Sequence, residues 1–224
     1  MIEVVVVGEG QTEETFVRDI LAPEFGLHGI SVRARLVRTS AQGRGGSLNY
    51  ARVKRFLENT LKERADVYVT TFFDLYRLHR EFPGFEDASK AGDVQTRVQR
   101  LESQLQAEIV ASVGCRGERF FPHVQPYEYE ALLFSDVECL VAIEPGWEAQ
   151  VDKLKAVRRE FRSPEDINDG SATHPSARLD AMMQPRYRKV LHGSRGAQKI
   201  GLQKLTSECA HFGRWIERIL ALKG

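Results

Sequence analysis

The stretch that decides the fold is the first sixteen residues, MIEVVVVGEGQTEETF (1–16). Val4 to Val7 form an unbroken β-branched run after Ile2 and Glu3. A run this short and this apolar reads as a strand buried on both faces, as in a parallel sheet covered by helices. It ends at Gly8-Glu9-Gly10 and passes into a helix signal. Thr12 stands as an N-cap, and Glu13 and Glu14 fall in the first turn, where the helix dipole favours acids. Phe16, Ile20 and Leu21 carry the apolar stripe on to Pro23. A carboxylate at the end of a buried strand costs free energy unless something pairs with it. Glu9 therefore marks the place where function is to be sought.

Working outward, SVRARLVRT (31–39) alternates apolar and basic residues and reads as a half-exposed strand near a sheet edge. AQGRGGS (41–47) reads as a Gly-rich loop, with Ser47 capping a helix that runs to about Arg64. DVYVTTFFD (66–74) is the second strongly β stretch. Residues 75–92 form a long polar loop of a kind that is often functional, with Tyr76, Phe82 and Phe85 as exposed aromatics that either form a docking surface or close over the site. Asp93 caps a helix whose Val94, Val98, Leu101, Leu105 and Ile109 keep helical spacing. RFFPHVQ (119–125) is the last strand, and EYEALLFSD, WEAQVDKLKAVRREF, ARLDAMM and a terminal helix through Trp215 follow it. Strands alternating with helices predict an α/β fold: a mostly parallel four-stranded sheet flanked by helices. The expected division is an α/β domain over 1–144 and a basic helical C-terminal subdomain over 145–224 packed on it.

At 224 residues and 42% hydrophobic content, the chain suits one soluble domain or one core with an appendage. No apolar run approaches the roughly 18 residues that span a bilayer, and no membrane partner is expected. The first residues lack a basic segment followed by a long apolar one, so no signal peptide is expected and the cytoplasm is the expected location. Cys115, Cys139 and Cys209 are widely spaced, with no CxxC, which gives no signature of a disulfide framework or a zinc site and fits a reducing compartment. Charge is uneven. Residues 1–150 hold 17 Lys and Arg against 23 Asp and Glu, a balance of −6, whereas residues 151–224 hold 15 against 8, a balance of +7. Either the basic part meets a polyanion while the acidic part holds metal, or the basic part docks on the acidic part.

Ligands of open parallel sheets bind at the carboxyl ends of the strands. Glu9, Asp74 and the pair Glu128 and Glu130 all follow predicted strands there. Carboxylates brought together disfavour joint ionisation. Mg²⁺, a hard ion that takes carboxylates and bridges to phosphate oxygens, resolves this. Taken singly, Glu9 is also readable as a turn residue, Asp74 as a helix cap, and Glu128 and Glu130 as solvated first-turn acids. A phosphate loop at GEGQTEE is disfavoured, because the Walker pattern needs GK[ST] and a dinucleotide fingerprint needs glycine where Glu13 stands.

Strand–Glu-Gly–helix followed by an aspartate at a later strand end resembles the TOPRIM domain of topoisomerases, primases and certain nucleases. VVGEGQTEETFVRDILAP, TFFDLYRL…FPGF, VQPYEYEALLFSD, HPSARL and CAHFGRWIERI resemble, more specifically, the bacterial family known as domain of unknown function 4276, over Val4 to about Leu222. The TOPRIM resemblance implies Mg²⁺ or Mn²⁺ with Glu9 as ligand or general acid/base and Asp74 as the first aspartate. The second aspartate of the usual Asp-x-Asp is Tyr76 here, and Glu128 or Glu130 takes its place. Such proteins often act beside an ATPase in bacterial defence or repair.

The basic half supplies Arg178 in HPSARL, with Ser176 as a helix cap, and RYRKVLHGSRG with Arg186, Arg188, Lys189, His192 and Arg195. These side chains either hold a phosphate backbone and stabilise transition-state charge, with Lys189 the catalytic candidate beside Glu9, Asp74 and Glu130, or form a solvated helix face. Cys209, His211 and Phe212 read as packing around Trp215, and His174 as a loop residue. Two functions follow: a metal-dependent nuclease on DNA or RNA, or a non-catalytic subunit that binds an ATPase partner or a nucleotide.

Overall fold

The computed structural model describes residues 2–37, 48–168, 170 and 173–223. Ser47 and the loop 41–47 lie outside the described residues, as do the last two residues of 31–39. The chain runs β1 (Ile2–Gly8), α1 (Gln11–Phe16), a π-helical turn (Val17–Leu21), α2 (Ala22–Leu27), β2 (Ile30–Leu36), α3 (Tyr50–Glu63) and β3 (Tyr68–Asp74). It continues with α4 (Phe85–Ala88), α5 (Val94–Val113), β4 (Phe120–Phe121) and β5 (Val124–Gln125). A 3₁₀ run (Tyr129–Ser135) then leads into helices alone: α6 (Val137–Val141), α7 (Val151–Arg159), α8 (Pro175–Met182), α9 (Lys189–Ile200), α10 (Leu202–Glu208) and α11 (Ala210–Leu220). Among the described residues no helix is long and apolar enough to cross a membrane.

Every strand pairing is parallel, in the order β2-β1-β3-β4, with β5 continuing along β3 beyond β4. The apolar run of β1 is explained by what covers it. Val4 and Val6 face one core, with Phe16, Phe72, Phe212 and Trp215; Val5 and Val7 face the other, with Leu57, Val69, Phe73 and Leu101. Helices α1 and α11 cover the first face, α3 and α5 the second. A strand that buries alternate side chains in two cores has no polar face to show. β2 lies at the edge, where its arginines reach acids of neighbouring elements: Arg33 donates to Glu3 at 2.6 Å and Arg35 to Glu63 at 2.6 Å.

The opposite edge is broken by Pro122, which cannot donate to the ladder. Thr71 mends the gap: its hydroxyl donates to His123 O at 2.8 Å and accepts from His123 N at 3.0 Å. The C-terminal helices share the core of β1: Trp215 stacks on Phe72 with ring centroids 5.3 Å apart and donates from Nε1 to Thr70 Oγ1 at 2.8 Å.

Three local expectations are corrected. The N-cap of α1 lies two residues before Thr12: it is Gly10, and its N–H is taken by Glu13 Oε2 at 2.8 Å. Residues 75–92 are an ordered connection with a 3₁₀ turn and α4; Phe82 is buried and Phe85 half-buried in the second core, leaving Tyr76 as the exposed aromatic of the three. The cap of α8 is His174, whose Nδ1 accepts from Ala177 N at 3.3 Å, with Glu128 alongside, and not Ser176. Asp93 does cap α5, accepting from Thr96 N at 2.8 Å.

Phe72 touches Phe16, Tyr129, Phe212, His123 and Trp215 at the junction of sheet and C-terminal helices. Phe72→Ala is expected to cost about 3–5 kcal/mol in chemical denaturation, because the rings around it cannot all collapse into the space.

Candidate functional site

β1 and β3 are neighbours, with Gly8 opposite Phe72, so Glu9 and Asp74 leave the sheet side by side. The chain from β1 passes outward to β2 and then returns past β1 to β3, and the strand order reverses there, the position at which open parallel sheets form their ligand crevice. Gly8 is required by close approach: a Cβ there would stand 2.9 Å from Glu13 Cβ. This brings Glu13, on the first turn of α1, over the same crevice.

Asp74 is held from three sides. Its backbone N–H donates to Glu9 Oε1 at 3.3 Å, its Oδ1 accepts from Tyr129 N at 2.7 Å, and its Oδ2 accepts from Lys189 Nζ at 3.3 Å. Tyr129 reaches it because the chain turns sharply after β5, with Tyr127 at a positive φ of 56°. Lys189 opens α9 and stands 3.1 Å from Glu130 Oε2 as well. Glu130 is fully buried, and its other oxygen accepts from Tyr187 Oη at 3.4 Å. Arg77 approaches Glu9 at 3.8 Å.

The electrostatics follow from crowding. Burial holds Glu9 well above the usual carboxylate range, with Asp74 and Glu13 adding to it. Burial pushes Glu13 up to about 7, again reinforced by Asp74. Burial likewise pushes Glu130 up to about 7, with Lys189 pulling down and Asp74 and Glu128 pushing up. Burial disfavours the Lys189 ammonium, yet Asp74, Glu130, Glu13 and Glu128 outweigh it and hold its pKa well above the ordinary lysine value. Lys189, from the basic C-terminal part of the sequence, thus pairs with Asp74 and Glu130 of the acidic part.

The other predicted residues divide. Glu128 lies beside the cluster but is turned to α8, accepting from Ser176 N at 3.0 Å and facing His174 Nδ1 at 3.0 Å. Ser176, whose hydroxyl also donates to Glu128 Oε1 at 3.1 Å, is therefore the partner that orients Glu128, and His174, read as a loop residue, caps α8 beside it. Arg188, Lys189 and Arg195 line an open groove of about 900 Å³ between α1 and α9, with Arg18 and Asp19 on its far wall. Arg18 and Asp19 sit on the π-helical turn, an insertion that is frequent at functional sites. His192 does not join that surface. It is buried against Trp147 and Tyr187; its Nδ1 accepts from Arg188 N at 2.9 Å, and its Nε2 faces Glu144 at 3.5 Å. Arg178 is engaged locally, donating to Thr173 O at 2.6 Å and lying over the Phe161 ring.

Sequence reasoning assigned Glu13 to the helix dipole alone and missed it as a member of the cluster. Its spacing of four from Glu9 was the available signal. For Mg²⁺ or Mn²⁺, Glu9, Asp74, Glu13 and Glu130 fit in kind: all are oxygen donors, and their charge exceeds what Lys189 and Arg77 balance. In this arrangement the ammonium of Lys189 stands between Asp74 and Glu130, and among the described residues no three of these carboxylates bring ligand atoms within 4.8 Å of one another.

The raised carboxylates have a testable consequence. With folded values near 7 against an ordinary 4.5, Glu13 and Glu130 hold protons in the folded protein that the unfolded chain releases. Their penalty on stability is full above pH 7 and fades as pH falls toward 4.5. Buried His123 and His192, held below their ordinary 6.5, pull the other way, so the effect is read by difference. The stability of wild type relative to Glu130→Gln is expected to rise from pH 8 to pH 5 in denaturant titrations.

No curated protein and no solved structure shows significant similarity to the chain. One family model matches residues 8–220, from the end of β1 to the end of α11, and so spans sheet, crevice and C-terminal helices together. The chain belongs to that family, the domain of unknown function DUF4276.

Proposed function

We propose that the crevice is the active site of a divalent-cation-dependent nuclease of the TOPRIM type, hydrolysing phosphodiesters of DNA or RNA. One observation carries the reading: carboxylates from the ends of β1 and β3, from α1 and from the 3₁₀ run after β5 converge with Lys189 beside a groove that bears Arg18, Arg188 and Arg195. Glu9, Asp74 and Glu130 are the residues to hold Mg²⁺ or Mn²⁺, which when bound polarises a phosphoryl oxygen and supplies a nucleophilic water. Displaced from its carboxylates, Lys189 is free to neutralise a phosphate oxygen. Glu13, with a pKa of about 7, is suited to taking a proton at its Oε1, since Oε2 is committed to Gly10 N. The arginines of the groove hold the strand by its phosphates, which positions it without reading its sequence.

A second reading rests on the same lysine. Because Lys189 already gives Asp74 and Glu130 a positive charge, the cluster can serve as a fixed ion-pair network in a non-catalytic subunit that docks an ATPase partner or a nucleotide.

The two are separated by incubating the protein with single- and double-stranded DNA and RNA and Mn²⁺ or Mg²⁺. The nuclease reading expects cleavage that falls about 100-fold or more in Glu9→Gln and Asp74→Asn. Lys189→Ala is expected to lose cleavage while binding Mn²⁺ at least as tightly as wild type. Cleavage unaltered in all three would remove the site assignment, and no cleavage together with no metal binding would favour the subunit. Arg188→Ala and Arg195→Ala are each expected to weaken binding to every sequence alike and to lower the salt slope by about 1.

A further inference from the structure

A second group of ligating side chains lies across the broken edge of the sheet. Glu102 comes from α5, His123 from the break between β4 and β5, and His211 from the first turn of α11. One ligand atom from each lies within 4.8 Å of the other two, and among the described residues no other group of three His, Cys, Asp or Glu side chains does so. Both histidines are buried and their rings stack at 4.9 Å, with Trp215 also stacked on His123 at 4.7 Å.

The hydrogen bonds show what the group lacks. His123 Nε2 lies 3.2 Å from Gln125 Oε1, an acceptor, and in the tautomer that donates to it Nδ1 keeps a lone pair. That lone pair faces Glu102 Oε1 at 3.7 Å, an acceptor opposite an acceptor. The same Glu102 oxygen lies 2.8 Å from His211 Nε2 and accepts from Val124 N at 2.7 Å. A cavity of about 170 Å³ opens onto the three side chains, with Gln99, Arg214 and Arg218 on its walls.

We propose that Glu102, His123 and His211 bind a divalent transition-metal ion of the Zn²⁺ class, with the cavity leaving a fourth position for water or an anion. Two imidazoles and one carboxylate are the donors of such ions, whereas Mg²⁺ takes oxygen alone. A cation between His123 Nδ1 and Glu102 Oε1 turns their opposition into shared coordination. Gln125 plays the supporting part expected around a metal-bound histidine, fixing which ring nitrogen carries the proton. His211 binds through Nε2 once its proton sits on Nδ1. The ring stays neutral, and the exposed Arg214, whose Nη2 now lies 3.3 Å from Nδ1, turns away. The ion joins α5, on one face of the sheet, to α11, on the other, over the edge that Pro122 leaves open. The site is independent of the carboxylate cluster: neither Glu9, Glu13, Asp74, Glu130 nor Lys189 contributes to it.

The test uses the full chain freed of metal by chelation. Calorimetric titration with Zn²⁺ is expected to give one equivalent bound, not displaced by excess Mg²⁺, and Co²⁺ is expected to give a visible spectrum without a thiolate charge-transfer band. Glu102→Gln and His211→Gln are each expected to weaken Zn²⁺ binding by more than ~10-fold. Glu102 is partly exposed, so its variant keeps the test open if the His211 variant does not fold, as circular dichroism will show. Zn²⁺ is also expected to raise the melting temperature of wild type and not of Glu102→Gln. Absence of Zn²⁺ binding, unchanged affinity in Glu102→Gln, or a thiolate band placing the ion on cysteine would overturn the proposal.

Discussion

Lys189 stands 3.3 Å from Asp74 and 3.1 Å from Glu130, and the arrangement of the crevice depends on that ammonium. A strand buried on both faces must end somewhere, and this chain places acids at those ends. Without a cation, Asp74, Glu130, Glu9 and Glu13 repel one another in a site poor in water. The lysine comes from 115 residues beyond Asp74, so the C-terminal helices have to pack on the sheet for the charges to meet. The packing is close: at Gly193, one turn along α9, a Cβ would stand 3.0 Å from the Tyr129 ring. Tyr129 in turn holds Asp74 through its backbone N–H and α9 through its hydroxyl, which donates to Gly193 O at 3.0 Å. Charge pairing and helix docking are thus one constraint seen from two sides.

The cluster is balanced rather than relaxed. One lysine and a more distant arginine face four acids, and burial, with repulsion from Asp74 adding to it, raises the proton affinity of Glu9, Glu13 and Glu130. Groups in that state respond to whatever positive charge arrives, be it a proton or a hard metal ion. The edge of the sheet offers different chemistry. There the donors are two imidazoles and a single carboxylate, which favour a softer ion. The two clusters draw on different elements of one fold, the first on the strand ends of the crevice, the second on the gap in the edge strand.

Much of this was legible in the residues. The valine run of β1 demanded cover on both faces, and the alternation in 31–36 belonged to an edge. That Glu9 and Asp74 leave the sheet as neighbours was legible because both follow buried strands of a parallel sheet. Glu13 was not, because an acid in a first helical turn has an ordinary reason to be there, and only the folded chain, in which a Cβ on Gly8 would stand 2.9 Å from Glu13 Cβ, brings it over the strand ends. His192 looked like part of a basic face from its neighbours Arg188 and Arg195, yet helical periodicity turns it inward, where Trp147 packs on it. Glu102, His123 and His211 are separated by 21 and 88 residues, and no spacing rule links an α-helix, a strand break and a last helix.

By itself the sequence determined the α/β architecture, the parallel pairing and the positions at which carboxylates leave the sheet. Those are consequences of local apolar pattern and short-range turns, which each segment carries within itself. Which charges meet was decided only by the tertiary structure: Lys189 to Asp74 and Glu130, Glu128 to the start of α8, Glu102 to two histidines. Electrostatic partners are chosen by distance through space, and that distance exists only after helices and sheet have closed on their shared core.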